Sequence, residues 1–569
     1  MTTHVVTVDD ARASRSLEHA LRLLEASGLE AKPLDLGRGS IRLDRESRSL
    51  ERRFQHTPQP LLDAWRASRL IQERTNPGDV VLMSDHRGLG GVFALDQAPA
   101  GTAHRRHLWT VAADSAYLEL RFVAGAHEGL PMPLESQIDW EIVQYRWSDR
   151  TIATSELAIR ELERIGVTSE LISEQARDTD ASGRIDPRRI WAPGPVSRRN
   201  QTGEVLRAVT SLNGTSIALS DEDADDGIWT GSTWDALRHS REVLEGRVDR
   251  RHSPAESPTV IVVGDPFAPP DQAVAAFRSN GVPVVVPEGS VASLIWPKAP
   301  TWAGADGLVD ALTDAPAERT GSYSRVVARS AETVTPSRLE QARAVSVAIP
   351  VFRDVRFLEE CVTSVLGQDH APVEVLLIDD GSRSDVVDKT FDDLIHHDQR
   401  VRSIRTEHRG VCVARNAAME AMTGDSFLFV DSDDILLPTF LSRCASVLNS
   451  SEEIWAVATW TEFFGAYEAV EAKPPFDERV GRRENPIIST SALVDRKVLK
   501  AGIRFAPDLA FLYCEDWHFW SQIVAAGGRF GLVPEPLARH RVHPASGGYM
   551  RTELAHALGR SRAIEPLRR

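Results

Sequence analysis

Three acidic pairs in this chain carry the residue types and spacing of carboxylates that do chemistry. Asp431 and Asp433, separated by one serine, follow the apolar run SFLFV at 426–430. Two carboxylates two residues apart in extended chain point the same way. They repel unless a cation lies between them or one takes a proton. A hard divalent ion, Mg²⁺ or Mn²⁺, would resolve that conflict and could bridge a diphosphate. A plainer reading has the same acids capping the next helix, with Pro438 near its start. Asp379 and Asp380 close a second apolar run, VEVLLI at 373–378, and are followed by Gly381. Glu515 and Asp516 head the segment EDWHFW. A carboxylate there could accept a proton from a substrate hydroxyl, although a helix N-terminus favours acids anyway.

These residues need rigid elements to bring them together. VSVAIPVF (345–352), VEVLLIDDGS (373–382) and SFLFVDSDD (426–434) read as buried strands. Phe357, Leu358, Cys361, Val362, Val365 and Leu366 follow the first strand at helical spacing, and a helix is expected over about 410–422, ending near Gly424. Strand, helix, strand is the pattern of a parallel α/β layer. Ligands of open parallel sheets bind at the C-terminal strand ends, where two of these strands deliver acids.

The rest of the chain bounds the answer. Its 569 residues are enough for three to four domains. The formal net charge of −16 argues against a sequence-wide grip on nucleic acid. Cys361, Cys412, Cys444 and Cys514 form neither a disulfide scaffold nor a zinc motif. The first residues lack a signal-peptide core, and no apolar run is long enough to span a bilayer. The expected location is the cytoplasm, with peripheral attachment to the inner face of the membrane left open.

The motifs SVAIPVF, LLIDDGS, GVCVARNAAMEAMTGDSFLFVDSDD, CEDWHFW and RHRVHPAS resemble, in order and approximate spacing, family 2 glycosyltransferases of the GT-A fold. The resemblance covers about 344–550 and implies an inverting, metal-dependent transfer from a nucleoside diphosphate sugar, with a UDP-sugar the expected donor, to a glycan or lipid-linked acceptor. It places the nucleotide base at Pro350, Val351 and Phe352, its imide hydrogen on Asp380, and the ribose and diphosphate near Asp431 and Asp433, with Asp379 orienting the loop instead. It implies a metal (Mn²⁺ or Mg²⁺) on Asp433 and His543, with His540 a weaker candidate and Asp434 able to serve the metal or the ribose and diphosphate. Asp516 would be the general base, and Glu515 would position the acceptor or a neighbour. Arg415, in the Ala-Arg-Asn match, would face the diphosphate or brace the loop. Trp517 and Trp520 are expected in the core, and residues 461–486 on the acceptor side.

Residues 1–320 resemble, more loosely, a GT-B glycosyltransferase of the family 4 type. The matching segments are DVVLMSDHRGLGG, DRTIATSELAIRELERIGV, APGPVSRRNQTGEVLRAV and VVGDPFAPPDQAVAAFRSNGVPVVVPEGS. The expected fold class is therefore α/β: a GT-B-like pair of Rossmann-type domains (1–185 and 186–320), a linker (321–343), a GT-A domain (344–550) and a C-terminal tail (551–569). The resemblance departs where active relatives carry a glutamate pair, since counting back from Gly281 gives Ala276 and Ala268, and a shifted alignment gives Asp265 and Asp271. Arg198 and Arg199 could still face a diphosphate. Three lesser features read as ordinary surface or packing. DEDADDG (221–227) has Asp226 and Ser232 where a calcium loop needs Gly and Glu. Gly88, Gly90 and Gly91 lack the dinucleotide spacing, and the Arg/His cluster at 104–107 reads as a surface loop. The alternatives are a second, retaining transferase in the GT-B-like half, or a nucleotide- or carbohydrate-binding assembly factor without turnover. A sugar nucleotidyltransferase is disfavoured, because IPVFRDVRF (349–357) contains no glycine.

Overall fold

The computed structural model describes residues 2–7, 21–22, 24–25, 30–35, 59–85, 88–97, 105–112, 117–118, 132–172, 188–193, 202–212, 214–219, 247–250, 258–264, 274–275, 278, 282–296, 299–313, 343–372, 374–487, 490–512, 514–543 and 560–568. The acidic loop 221–227, the positions Arg198, Arg199, Asp265, Ala268, Asp271, Ala276 and Gly281, most of the helices expected at 16–28 and 271–279, and the linker up to 342 lie outside the described residues. The chain divides into two compact units: 1–41, 70–91 and 106–333, and 42–69, 92–105 and 334–569.

The first unit holds two sheets of six described strands each, parallel throughout. One contains β1 (Thr3–Thr7), β2 (Ala31–Asp35), β3 (Val80–Ser84), β4 (His107–Ala112), β5 (Arg150–Ala153) and β6 (Glu170–Leu171), in the order β2-β1-β3-β4-β5-β6. The other contains β7 (Arg189–Ala192), β8 (Ser216–Leu219), β9 (Val248–Arg250), β10 (Val260–Val262), β11 (Val284–Pro287) and β12 (Thr301–Trp302), in the order β12-β11-β10-β7-β8-β9. Runs such as VIV in β10 and VVVP in β11 are buried throughout, as sheets covered on both faces require. The helix after β5, α1 (Glu156–Arg164), starts where the sequence reading puts it. Ser155 Oγ accepts the N–H of Ala158, and Gly166 ends the helix at φ +74°.

The second unit carries a mixed nine-stranded sheet. Its parallel part is β13 (Val345–Val351), β14 (Glu374–Asp379), β15 (Val401–Arg405) and β16 (Ser426–Phe429), in the order β15-β14-β13-β16. Helices α2 (Leu358–Leu366), α3 (Asp385–His397) and α4 (Val411–Ala421) connect these strands. The order reverses between β13 and β16, and open parallel sheets bind ligands at the C-terminal strand ends of such a switch point. Beyond β16 the sheet continues through β17 (Ile435–Leu436), β18 (Ile454–Gly465), β19 (Ala469–Glu471), β20 (Ala492–Asp495) and β21 (Arg529–Val542). The strands β20, β18 and β19 run antiparallel to their neighbours, whereas the long pair β18 and β21 is parallel.

The parallel strands are held by a buried acid. Glu374 Oε1 accepts from Ser346 Oγ (2.6 Å), Thr423 N (2.6 Å) and Thr423 Oγ1 (2.8 Å), and Oε2 accepts from Arg402 Nε (2.6 Å). Burial alone would raise its pKa, but these donors to the charged form hold it down at about 2. Residues 560–568, at the end of the expected tail, pack on this unit. Leu567 is buried, and Arg562 pairs with Asp508 at 2.7 Å.

Candidate active site

The end of β13 brings three of the expected base-binding residues to the crevice, but they differ in what they can offer. Val351 is buried in the sheet and Pro350 is half-buried, while Phe352 is 39 % exposed. Its ring stacks on His408 at 4.1 Å with 7° between planes, and the Arg353 guanidinium lies 4.8 Å above the ring. A flat π-face at a strand end can take a planar base.

At the end of β14 the two acids take different partners. Asp379 accepts from Ser382 N (2.7 Å) and Arg405 Nε (2.6 Å), so it orients the turn. Asp380 accepts from Thr406 Oγ1 (2.8 Å), Arg409 N (3.1 Å) and Gly410 N (3.0 Å). It thereby holds the turn that enters α4. Gly381, which follows the two acids, has φ +73°, and a Cβ there would sit 2.6 Å from His408 N. Only glycine fits that approach.

The Asp-x-Asp segment departs from the sequence reading. Extended chain would point both carboxylates the same way. Instead β16 ends at Phe429, and residues 431–434 turn, with Asp434 N donating to Asp431 O at 3.0 Å. The two carboxylates therefore reach different partners. Arg415 Nη2 donates to Asp431 Oδ1 at 3.1 Å, and His543 Nε2 lies 2.9 Å from Asp433 Oδ2. The acids do not cap the next helix either. β17 intervenes, and α5 (Phe440–Leu448) starts after Thr439 without a side-chain cap.

Asp434 is buried, accepting from Arg541 N at 3.1 Å and pairing with His540 Nδ1 at 3.0 Å. Burial pushes Asp434 up to about 6. Burial alone would lower His540, yet its bond to Asp434 and the neighbouring acids push it up to about 9. The contact between them pins β21 to the acidic turn. Arg541 reinforces this pin. Its Nε donates to Asp433 O at 3.0 Å, and its guanidinium sits between Phe357 (4.1 Å) and Phe464 (4.4 Å).

Arg415, on α4, is buried and spans the centre of the site. Its Nη1 donates to Glu515 Oε1 and its Nη2 to Asp431 Oδ1, both at 3.1 Å. A planar guanidinium is suited to joining two carboxylates in this way. Here it links the end of β16 to the start of α6 (Glu515–Ala525), 100 residues along the chain from Arg415. Glu515 Oε2 is buried and has no hydrogen-bond partner among the described residues. Asp516, beside it, accepts from Trp517 N (2.7 Å) and Asn485 Nδ2 (3.0 Å). Asn485 lies in the segment 461–486 expected on the acceptor side, but nothing in its spacing singles it out as a partner of α6. Trp517 and Trp520 are buried as expected, with Trp517 Nε1 donating to Gly481 O at 2.8 Å.

The chemistry of Asp433 and His543 suits a hard divalent ion, which takes one or two protein ligands and completes its shell with phosphate oxygens and water. Among the described residues, no group of three or more His, Cys, Asp or Glu side chains is placed to hold a metal. All four cysteines are buried thiols, and burial pushes Cys412 up to about 12. In the first unit, Gly88 packs on a helix, since a Cβ there would lie 2.6 Å from Trp140 C. Arg106 of the Arg/His cluster caps a helix end, donating to Gln72 O (2.9 Å) and Thr75 O (2.7 Å).

Residues 346–497 match the family described as "Glycosyl transferase family 2". An uncharacterized glycosyltransferase of Haemophilus influenzae is 23 % identical over 221 residues, covering 36 % of this chain and 67 % of that one. Glycosyltransferase GlyG of Streptococcus pneumoniae is 34 % identical over 93 residues, covering 16 % and 31 %. The chain thus spans between about a third and two thirds of the length of these two relatives. Among solved structures, S. aureus TarS 1–349 in complex with UDP-GlcNAc aligns with a TM-score of 0.32 at 18 % identity, covering 37 % of this chain and 61 % of that one.

Proposed function

We propose that this chain, whose residues 346–497 match glycosyltransferase family 2, is an inverting, divalent-metal-dependent transferase. It moves a sugar from a nucleoside diphosphate sugar, with a UDP-sugar the expected donor, to a glycan or lipid-linked acceptor in surface polysaccharide or glycoconjugate synthesis. The observation that carries this reading is the Arg415 bridge between Asp431 and Glu515. It brings the acids of the donor strand beside the carboxylates that head α6, within one site.

In this reading Phe352 stacks on the base, and Asp380 holds the turn beside it while accepting the imide hydrogen. Asp431, Asp433 and Arg415 border the ribose and diphosphate. An acceptor hydroxyl attacks the anomeric carbon in line with the leaving diphosphate. Its oxygen bonds to the carbon as the bond from that carbon to the diphosphate oxygen breaks, and Asp516 takes the hydroxyl proton. Asp433 and His543 would hold the divalent ion, which when bound would offset charge on the leaving diphosphate. For His543 Nε2 to bind it, the imidazole must be neutral on that atom. The proposed location is the cytoplasm. Among the described residues, no helix is long and apolar enough to cross a membrane.

The test is nucleoside diphosphate release by the full chain from a panel of nucleotide sugars, with Mn²⁺, with Mg²⁺ and with chelator. Metal-dependent release that disappears in Asp433→Asn supports the reading, and unchanged release in that variant sinks it. A second reading concerns residues 1–320. Two parallel sheets suit a GT-B-like pair, but the glutamate pair of active relatives is missing from the sequence. We therefore propose that this half binds acceptor or scaffolds the enzyme without catalysing. Nucleoside diphosphate release that survives in Asp433→Asn but needs the first 330 residues would instead place a second transferase there.

A further inference from the structure

We infer that Asn485 is a positioning residue for the proton-accepting carboxylate, and that the segment 476–487, clamped from behind by residues 560–568, forms the wall that holds it there. This inference rests on the reading of Asp516 as the base.

The orientation of the Asn485 amide is unambiguous. Its Oδ1 accepts the N–H of Ile487 at 3.2 Å, so its Nδ2 is the atom 3.0 Å from Asp516 Oδ2. A carboxylate accepts only, and an amide nitrogen donates only. Trp517 N donates to Asp516 Oδ1, so each carboxylate oxygen is held by a donor. Groups from different elements thus hold the carboxylate plane.

The segment bearing Asn485 is itself pinned at several points. The Phe476 ring packs on Phe530 at 5.2 Å, and Asp477 Oδ1 caps Val480 N at 2.8 Å. Gly481 fits between two side chains, since a Cβ would lie 2.6 Å from the Phe476 ring and 3.2 Å from Leu567 Cδ1. Its carbonyl accepts from Trp517 Nε1 on α6. From the far side, Arg482 Nη2 donates to Leu567 O, and Arg560 Nη2 donates to Arg482 O at 3.1 Å. Movement of this segment would carry the Asn485 amide away from Asp516. A general base displaced by even about 1 Å loses much of its rate advantage.

The experiment uses the full chain and whichever of UDP-glucose, UDP-GlcNAc, UDP-galactose and GDP-mannose gives the fastest nucleotide release with Mn²⁺. Asn485→Ala should lower kcat by about 10- to 100-fold, with donor KM and the Kd for the released nucleoside diphosphate each within about twofold. Leu567→Ala, which touches neither carboxylate nor nucleotide, should lower kcat several-fold with the same unchanged KM. An unchanged kcat in Asn485→Ala beside an inactive Asp516→Asn overturns the inference while leaving the base assignment intact. Full turnover in Asp516→Asn instead removes the base assignment itself. Weakened nucleotide binding in Asn485→Ala would show a merely structural role and also overturns the inference. A thermal cycle needs no substrate. The double variant Asn485→Ala/Asp516→Ala should lose less Tm than the two single losses summed, and strictly additive losses overturn the contact.

Discussion

Both halves of the chain bring an acid to the C-terminal end of a buried parallel strand, with opposite outcomes. At the end of β3, Asp85 is fully buried, and its carboxylate accepts the Tyr145 hydroxyl. The glycine loop beyond it presses on the helix that carries Trp140. At the ends of β14 and β16, Asp379, Asp380, Asp431 and Asp433 engage partners from at least four other segments, and Asp431 and Asp433 stay part-exposed. A strand end becomes a candidate site when its polar groups are tied to distant elements yet keep a face toward solvent. Sealed against a neighbouring helix, the same residue type serves packing.

The sharpest way to break this contrast is to neutralise one acid in each half. Asp516→Asn should lower nucleotide release by about 10³-fold or more with little change in Tm, whereas Asp85→Asn should leave release within about twofold and lower Tm. Similar kinetic losses in both would erase the distinction. Next in size is Arg415→Met, which leaves two carboxylates facing each other without their cation. Breaking a buried pair in this way costs about 3–5 kcal/mol, and kcat/KM should fall with it. Arg415→Lys keeps the charge but loses the fork, and should recover part of the stability by urea unfolding and less of the rate.

Trp520→Ala tests whether the aromatic residues of α6 are core or acceptor platform. Trp520 is fully buried against Phe519 and Phe530 at ring distances of 5.1 and 5.8 Å. The substitution should cost about 3–5 kcal/mol in stability. At a temperature where the variant is folded, donor KM should stay the same, and a selective rise in acceptor KM with normal Tm would contradict a core role.

The smallest effect appears only in acid. Hydrogen-bond donors hold the folded pKa of Glu374 down at about 2, below the ordinary 4.5. Its contribution to stability is therefore fully present above about pH 4.5 and is lost as pH falls toward 2. Wild type should lose stability over that window more steeply than Glu374→Gln, which lacks the titrating group. Parallel pH–stability curves for the two would show that the buried acid does not hold the strands.

Much of the site was legible because adjacent residues report local geometry. The strands β13, β14 and β16, the helix α4 and the Ser155 cap follow from apolar runs, periodicity and capping chemistry within short windows. The acids were legible as a group because strand ends of one parallel sheet share an edge. What those acids touch was not legible. The extended-chain argument for Asp431 and Asp433 failed because the chain turns at 431–434, a conformation stabilised by Asp434 being drawn to His540 and Arg541 on β21, more than 100 residues away.

The sequence by itself determined which residues form strands and helices and which carboxylates reach the sheet edge, because propensity and hydrophobic pattern act over a few residues. Only the tertiary structure decided the partners: Arg415 on Asp431 and Glu515, His543 on Asp433, Asn485 on Asp516. Each pairing joins residues 16 to 110 positions apart. Contacts at that separation depend on where whole elements pack, and no local window of sequence encodes it.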